Sequence, residues 1–271
     1  FLSRTQKPSA VSSPMTHSTM SSNKKRIIRN IGATLLALTV WELAALLLRR
    51  NILVASPVDV LKVLPSLWSS GDFYASVWFS MSRIIGGFLL GTSVGCLLAA
   101  LASRFAVAEV LLMPYMAAVK SVPVASFVII ALIWLSSSQL SVFITFLIVL
   151  PVIYSNILKG LQSTDRKMLE MADAFGVPVI RRLIYIRLPQ IKPYLMSASS
   201  VAMGLAWKSG VAAEIIGIPD GSIGESLYFA KVYLNTPELF AWTLTIVILS
   251  VGFEKLFCLL LKLFFREVER L

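Results

Sequence analysis

The chain is poor in charge, has one histidine and has two cysteines. Charged residues fill 14% of its 271 positions, against roughly 25% in a soluble domain, so it lacks the polar surface to face water on every side. His17 sits in a Ser/Thr-rich terminal stretch, and Cys96 and Cys258 lie in separate apolar runs. That scarcity argues against a haem, zinc or iron–sulfur site. The two thiols read as small buried hydrophobes rather than a disulfide or a metal pair. No G-x-x-x-x-G-K-[ST] loop is present to cradle nucleotide phosphates, so the chain is not expected to hydrolyse ATP by itself. The apolar runs also lack the Ser/His, Asp/Asp or His–metal set of an intramembrane enzyme. Catalytic, cofactor-binding and metal-binding residues are all expected to be none.

What the chain has is apolar length: 57% of its residues are hydrophobic, and they come in long runs rather than short alternating ones. This predicts an all-α polytopic membrane protein with about six transmembrane helices, near 31–48, 84–103, 110–135, 139–158, 195–216 and 239–261. Residues 1–26 are expected to be a disordered, basic, Ser/Thr-rich tail, with Met15 or Met20 as the natural start. A membrane domain then fills 27–265, and 266–271 form a short tail. Within the domain, 56–82 make an amphipathic outer segment. Ser56 caps a helix, Pro57 opens it, Asp59 stands three residues after the cap, and Leu61, Leu64 and Trp68 line one face. Gly71-Asp72 ends that pattern. Pro123 should break or kink the third span, and Pro151 the fourth.

A net charge of +11 suggests nucleic acid at first sight, but in so apolar a chain it reflects the Lys/Arg excess of cytoplasmic loops, and no nucleic acid is expected. With the N-terminus inside, the inner segments hold Lys24, Lys25, Arg26 and Arg29, then Arg104, then the basic run between Lys159 and Lys192, and finally Lys262, Arg266 and Arg270. The outer ones hold only Arg49, Arg50, Lys62, Arg83 and Lys231. The balance puts both termini in the cytoplasm. Two stripes of small residues, Gly87-Gly91-Gly95-Ala99 and Ala198-Ala202-Ala206-Gly210, would let helix backbones approach closely in lipid.

The most informative stretch is the inner segment 163–190. Asp165 suits the positive end of a short helix, Gly176 permits a tight turn, and Pro178 suits the first turn of a second helix ending near Pro189. Ser163 or Thr164 could cap the first helix. The result is an elbow with Arg181, Arg182 and Arg187 around it, suited to grip another protein. A plain solvated basic loop would also satisfy the charge rule.

The spacing of Glu170, Ala172, Gly176, Ile186, Leu188 and Pro189 resembles the EAA loop of ABC importer permeases, with Met171 in place of the first Ala. Lys120-Ser121-Val122-Pro123 and the block Ala206-Trp207-Lys208-Ser209-Gly210-Val211-Ala212-Ala213-Glu214 are similar to the nitrate/sulfonate/taurine-type branch. The resemblance spans most of residues 27–265. It implies a type I ABC importer architecture in the bacterial inner membrane, with a homodimer of permeases, two cytoplasmic ATPases that bind ATP and Mg, and an external solute-binding protein. The loop residues, Met171 included, would then couple ATP use to alternating access.

Ionisable residues at Glu42, Lys120, Lys208, Glu214 and Glu254 fall inside or beside spans, where each marks a pathway or a pair. Lys120, Ser121, Pro123, Trp207, Lys208 and Glu214 are the candidate translocation path, the lysines offering charge to an anion such as a sulfonate, taurine, nitrate or bicarbonate. A purely structural pairing of each lysine with a carboxylate remains open. Trp207 and Glu214 share a helix face, whereas Lys208 and Glu214, about 120° apart, do not. The glycine-rich loop 217–225 reads as a flexible gate or a binding-protein contact. The rival functions are an ion-coupled secondary transporter, which six spans without an internal repeat fit poorly, and an importer of a neutral vitamin-like heterocycle.

Overall fold

The computed structural model describes residues 19–48 and 54–268, and every regular element among them is helical. The chain divides into a first unit, Phe1–Val58, and a second, Asp59–Leu271. In the first, α1 (Thr19–Leu48) is apolar over Ile28–Leu47, and Trp41 donates from Nε1 to the Ala55 carbonyl at 3.1 Å. The helix begins inside the stretch 1–26 expected to be disordered. No Pro or Gly interrupts residues 20–31, so Lys24, Lys25 and Arg26 continue it. The rest of that expected tail, residues 1–18, lies outside the described residues.

The second unit holds α2 (Pro57–Trp68), α3 (Gly71–Arg104), α4 (Ala106–Ser121), α5 (Val124–Ala131), α6 (Ser137–Gln162), α7 (Arg166–Ala174), α8 (Val179–Arg182), a π-helical turn (Leu183–Arg187), α9 (Leu188–Gly217), α10 (Ile223–Val232) and α11 (Thr236–Val268). In α2 the buried pair is Val60 and Leu64, one turn apart. Leu61, expected on that face, points outward instead, and Trp68 donates from Nε1 to Thr245 of α11 at 3.2 Å.

Among the described residues four helices, in α1, α3, α6 and α11, are long and apolar enough to cross a bilayer, and there is a fifth where α4 and α5, bent by 101°, count as one span. The break expected at Pro123 is therefore present, between Ser121 and Val124. At Pro151 α6 continues without interruption, and Ser155 Oγ bonds the Pro151 carbonyl at 2.6 Å. The remaining expected span falls on α9. Ser199, Ser209, Lys208 and Glu214 dilute its apolarity, and three of these four are buried in protein rather than facing lipid.

Helix α6 packs against both α3 and α9. The stripe Gly87-Gly91-Gly95 makes the first contact possible. A Cβ at Gly87 would lie 2.5 Å from the Val142 carbonyl oxygen, one at Gly91 3.0 Å from that of Phe146, and one at Gly95 3.1 Å from that of Leu150. Three successive turns of α3 thus lie on the backbone of α6, where any side chain would push the helices apart. Gly210 brings α9 close to side chains of both helices, since its Cβ would fall 2.6 Å from Ile84 of α3 and 2.8 Å from Thr145 Oγ1 of α6. Trp207, Ile84, Phe88 and Met203 fill the centre, and Phe88 meets Phe257 of α11 edge-on at 4.9 Å.

Gly91→Leu should accordingly destabilise the bundle by about 1–3 kcal/mol or more through overpacking, whereas Gly86→Leu, where nothing lies within 4 Å of the added Cβ, should be tolerated. Thermal unfolding of the purified protein in detergent checks the contrast.

Candidate functional site

Segment 163–190 forms the expected elbow, with two differences. Asp165 rather than Ser163 or Thr164 caps α7, its side chain accepting from the Lys167 amide at 2.9 Å. At the other end Gly176 adopts φ +62°. The Val177 amide reaches back to the Ala172 carbonyl at 2.9 Å and the Gly176 amide to Asp173 at 3.0 Å. This pair of bonds is the glycine-terminated Schellman ending of a helix. Ala172 is buried there, whereas Met171 is exposed and Glu170 pairs on the surface with Arg166 at 3.4 Å.

The second difference is a correction. The helix after the turn does not end near Pro189. Helix α8, the π turn and α9 run on as one helical segment from Val179 to Gly217. Pro189 has no amide hydrogen and would clash with the carbonyl four residues back in a regular α-helix. The π turn widens the backbone just before it, with the Leu188 amide bonded to Leu183 five residues back. Ile186, Leu188 and Pro189 therefore lie at the joint between elbow and α9, all half-buried. Gln190 secures the same joint, its Oε1 accepting from the Asp165 amide at 3.2 Å and its Nε2 approaching Met168 Sδ at 3.5 Å.

Arg182 braces the turn. It donates from Nε to the Val177 carbonyl at 2.6 Å and forms an ion pair with Asp173. Sequence reading placed this arginine in a general basic rim. The signal that could have found it is an acid and a base nine residues apart across a Gly turn. Arg104, Arg182 and Arg187 line a cleft of about 450 Å³ under the elbow. On the elbow's outer side Phe175, Val179 and Ile180 are 80%, 79% and 71% exposed.

The candidate path residues do not gather in one place. Lys120 is exposed at the end of α4 and donates to Ser155 Oγ of α6 at 2.6 Å, while Ser121 bonds its own helix at Ala118. Pro123 is exposed at the bend. Lys208 is exposed and lines an apolar groove of about 330 Å³ between α9 and α11, with Gly204, Val211, Ile246, Val247 and Val251 among its walls. Among the described residues Lys208 has no carboxylate partner. Trp207 is buried beside it. Glu214 is fully buried, accepting from Ser80 Oγ at 2.6 Å and from the Gly224 amide at 3.4 Å. Ser80 had no signal in the sequence, which puts it in the outer segment 56–82 rather than in a span. Glu254, on α11, accepts from Ser200 of α9.

Residues 87–270 match the family described as the binding-protein-dependent transport system inner membrane component. The chain belongs to this family. The match takes in α9, the elbow and most of α3, so this permease is the membrane component of an ABC-type import system. The permease is 28% identical to the aliphatic sulfonates transport permease protein SsuC of Escherichia coli K12, over 73% of this chain and 75% of that one. It is 23% identical to the taurine transport system permease protein TauC of the same organism, over 85% and 86%. It is also 24% identical to an ABC transporter permease protein of Brucella melitensis biotype 1, over 76% and 83%.

If Arg182 holds the elbow closed, Arg182→Ala should speed amide hydrogen exchange over residues 172–178 about threefold, the effect of a partly exposed ion pair and one hydrogen bond worth roughly 0.5–1 kcal/mol. Exchange in α6 should not change. Asp173→Ala should give the smaller effect, because Arg182 keeps its bond to Val177.

Proposed function

We propose that the permease imports a small anion, a sulfonate, taurine, nitrate or bicarbonate, delivered by an external solute-binding protein and driven by ATP hydrolysis in a partner ATPase. The carrying observation is the elbow. Arg166, Lys167, Glu170 and Asp173 on α7 need water, so the exposed Phe175, Val179 and Ile180 beside them stand outside the hydrocarbon and call for a protein partner. Val179 and Ile180 of that tip begin the helical segment that runs into α9, so a force on them is delivered to the helix that carries Lys208 and Glu214.

In this reading two permeases pair, two ATPases grip the elbows from the cytoplasm, and both termini lie on that side of the inner membrane. ATP and Mg are bound by the ATPases. Lys208 supplies the positive charge facing the solute, because an ammonium without a carboxylate in a membrane-spanning bundle needs water or an anion. Lys120, which donates to Ser155 Oγ at the bend beside Ser121 and Pro123, offers a second positive charge apart from the groove that Lys208 lines. The sulfonate and taurine names of the relatives favour an anion over a neutral heterocycle.

Two variants separate coupling from passage. Phe175→Glu should lose co-purification of the ATPase and uptake together, with membrane yield unchanged. Lys208→Ala should keep the ATPase bound while uptake falls at least tenfold. Retention of the ATPase by Phe175→Glu would refute the docking assignment, and full uptake by Lys208→Ala would return that lysine to the scaffold.

A further inference from the structure

At the end of α9 away from the elbow, three helices meet on one carboxylate. The first amides of any helix lack partners within it, and α10 begins in a buried place: Ser222 and Ile223 are both 0% exposed. Each of its first three amides is satisfied from outside the helix's own ladder. The Ile223 amide donates to Ser80 Oγ of α3 at 2.9 Å, the Gly224 amide to Glu214 of α9 at 3.4 Å, and the Glu225 amide to Ser222 Oγ at 2.9 Å. Ser80 completes the circuit by donating to the same Glu214 oxygen at 2.6 Å. A negative charge at a helix N-terminus is favourable, and hydrogen bonds to a carboxylate are stronger than neutral ones.

Packing fixes the same point. A Cβ on Gly224 would lie 2.3 Å from Glu214 Cβ and 2.5 Å from the Glu214 carbonyl carbon, so α10 sits directly on the backbone of α9. The five residues between them, 218–222, turn through left-handed conformations at Ile218 and Gly221. The Gly221 amide is itself held by the Glu225 carboxylate at 2.6 Å. The glycines of this loop thus serve close contact and turning rather than looseness. Glu214 lines neither the groove beside Lys208 nor the cleft under the elbow.

We infer that Glu214 is a positioning residue: with Ser80 it latches the start of α10 to α9 and α3, so that elbow, α9 and α10 move as one lever during transport. This rests on the transport reading above and moves Glu214 off the solute path. The lever is long, since Leu188 and Glu214 are about 39 Å apart along a helix rising 1.5 Å per residue.

The test uses a permease in which Cys96 and Cys258 are alanine and Ile223 is replaced by cysteine (Ile223→Cys), read by maleimide labelling in membranes, and the assembled transporter, read by uptake and ATP hydrolysis. With Glu214, or with Glu214→Gln, which keeps an oxygen for Ser80 and Gly224, the introduced cysteine should stay protected and uptake should continue. Glu214→Ala should raise the labelling rate at least tenfold and abolish uptake while ATP hydrolysis goes on. Ser80→Ala should also raise labelling, and it serves where Glu214→Ala fails to insert. Unchanged protection in both alanine variants overturns the latch. Loss of uptake in Glu214→Gln with protection intact also overturns it, and gives the charge of Glu214 to the solute path. Absence of ATP-dependent uptake in the unsubstituted transporter would instead sink the transport reading, leaving labelling alone to decide the latch.

Discussion

The backbone of α6 is approached within contact distance by α3, and everything else in the second unit is arranged around that fact. In lipid, apolar surface gains nothing by moving from hydrocarbon to protein, so helices associate through packing and hydrogen bonds. Gly87, Gly91 and Gly95 remove every side chain that would hold α3 away from Val142, Phe146 and Leu150. Gly210 then lets α9 settle between Ile84 and Thr145. Once the three helices stand this close, a serine on α3 is near enough to bond a carboxylate on α9 at 2.6 Å. The buried network at one end of α9 is thus a consequence of the glycine stripe rather than an independent feature.

The other end of α9 is governed by proline. Pro189 lacks the amide hydrogen of a regular helix and crowds the carbonyl four residues back, yet the chain stays helical through it. The π turn at Leu183–Arg187 resolves the conflict by opening the backbone one residue before the joint. The elbow is then not a hinged flap but the bent end of the helix that carries Lys208 and Glu214. Its bend is set by the positive φ of Gly176, and Arg182 ties both arms together through Val177 and Asp173. A partner gripping Ile180 would therefore act on a continuous rod, and one gripping Phe175 would reach it across the turn that Arg182 ties.

Much of this was legible in the sequence. The apolar runs mark the spans, the small stripes fall where backbones meet, and Gly176 stands where the elbow makes its left-handed turn. What was not legible depends on partners far along the chain. Nothing local tells Ser80 from other serines, and its role appears only when residue 214 is brought beside it. Leu61 and Val60 are equally apolar neighbours, and only the packing shows which faces inward. Pro189 reads as a stop because π turns leave no composition signal. Glu214 reads as a path residue because a lone acid in a span has two uses, and the choice between them depends on the amides of α10. Lys120 and Lys208 read as a pair from their type, but the bend at Val122–Pro123 and the groove beside α11 place them in different surroundings.

On the proposed function the elbow and α9 convert ATP hydrolysis into solute movement. The most direct measurement is accumulation of a small organic sulfonate in proteoliposomes containing this permease and its ATPase, with the binding protein and solute supplied on the side opposite the elbow. The expected result is concentrative movement toward the elbow side that needs MgATP on that side and is indifferent to proton or sodium gradients. Accumulation driven by such a gradient without ATP would contradict it and make the chain an ion-coupled transporter.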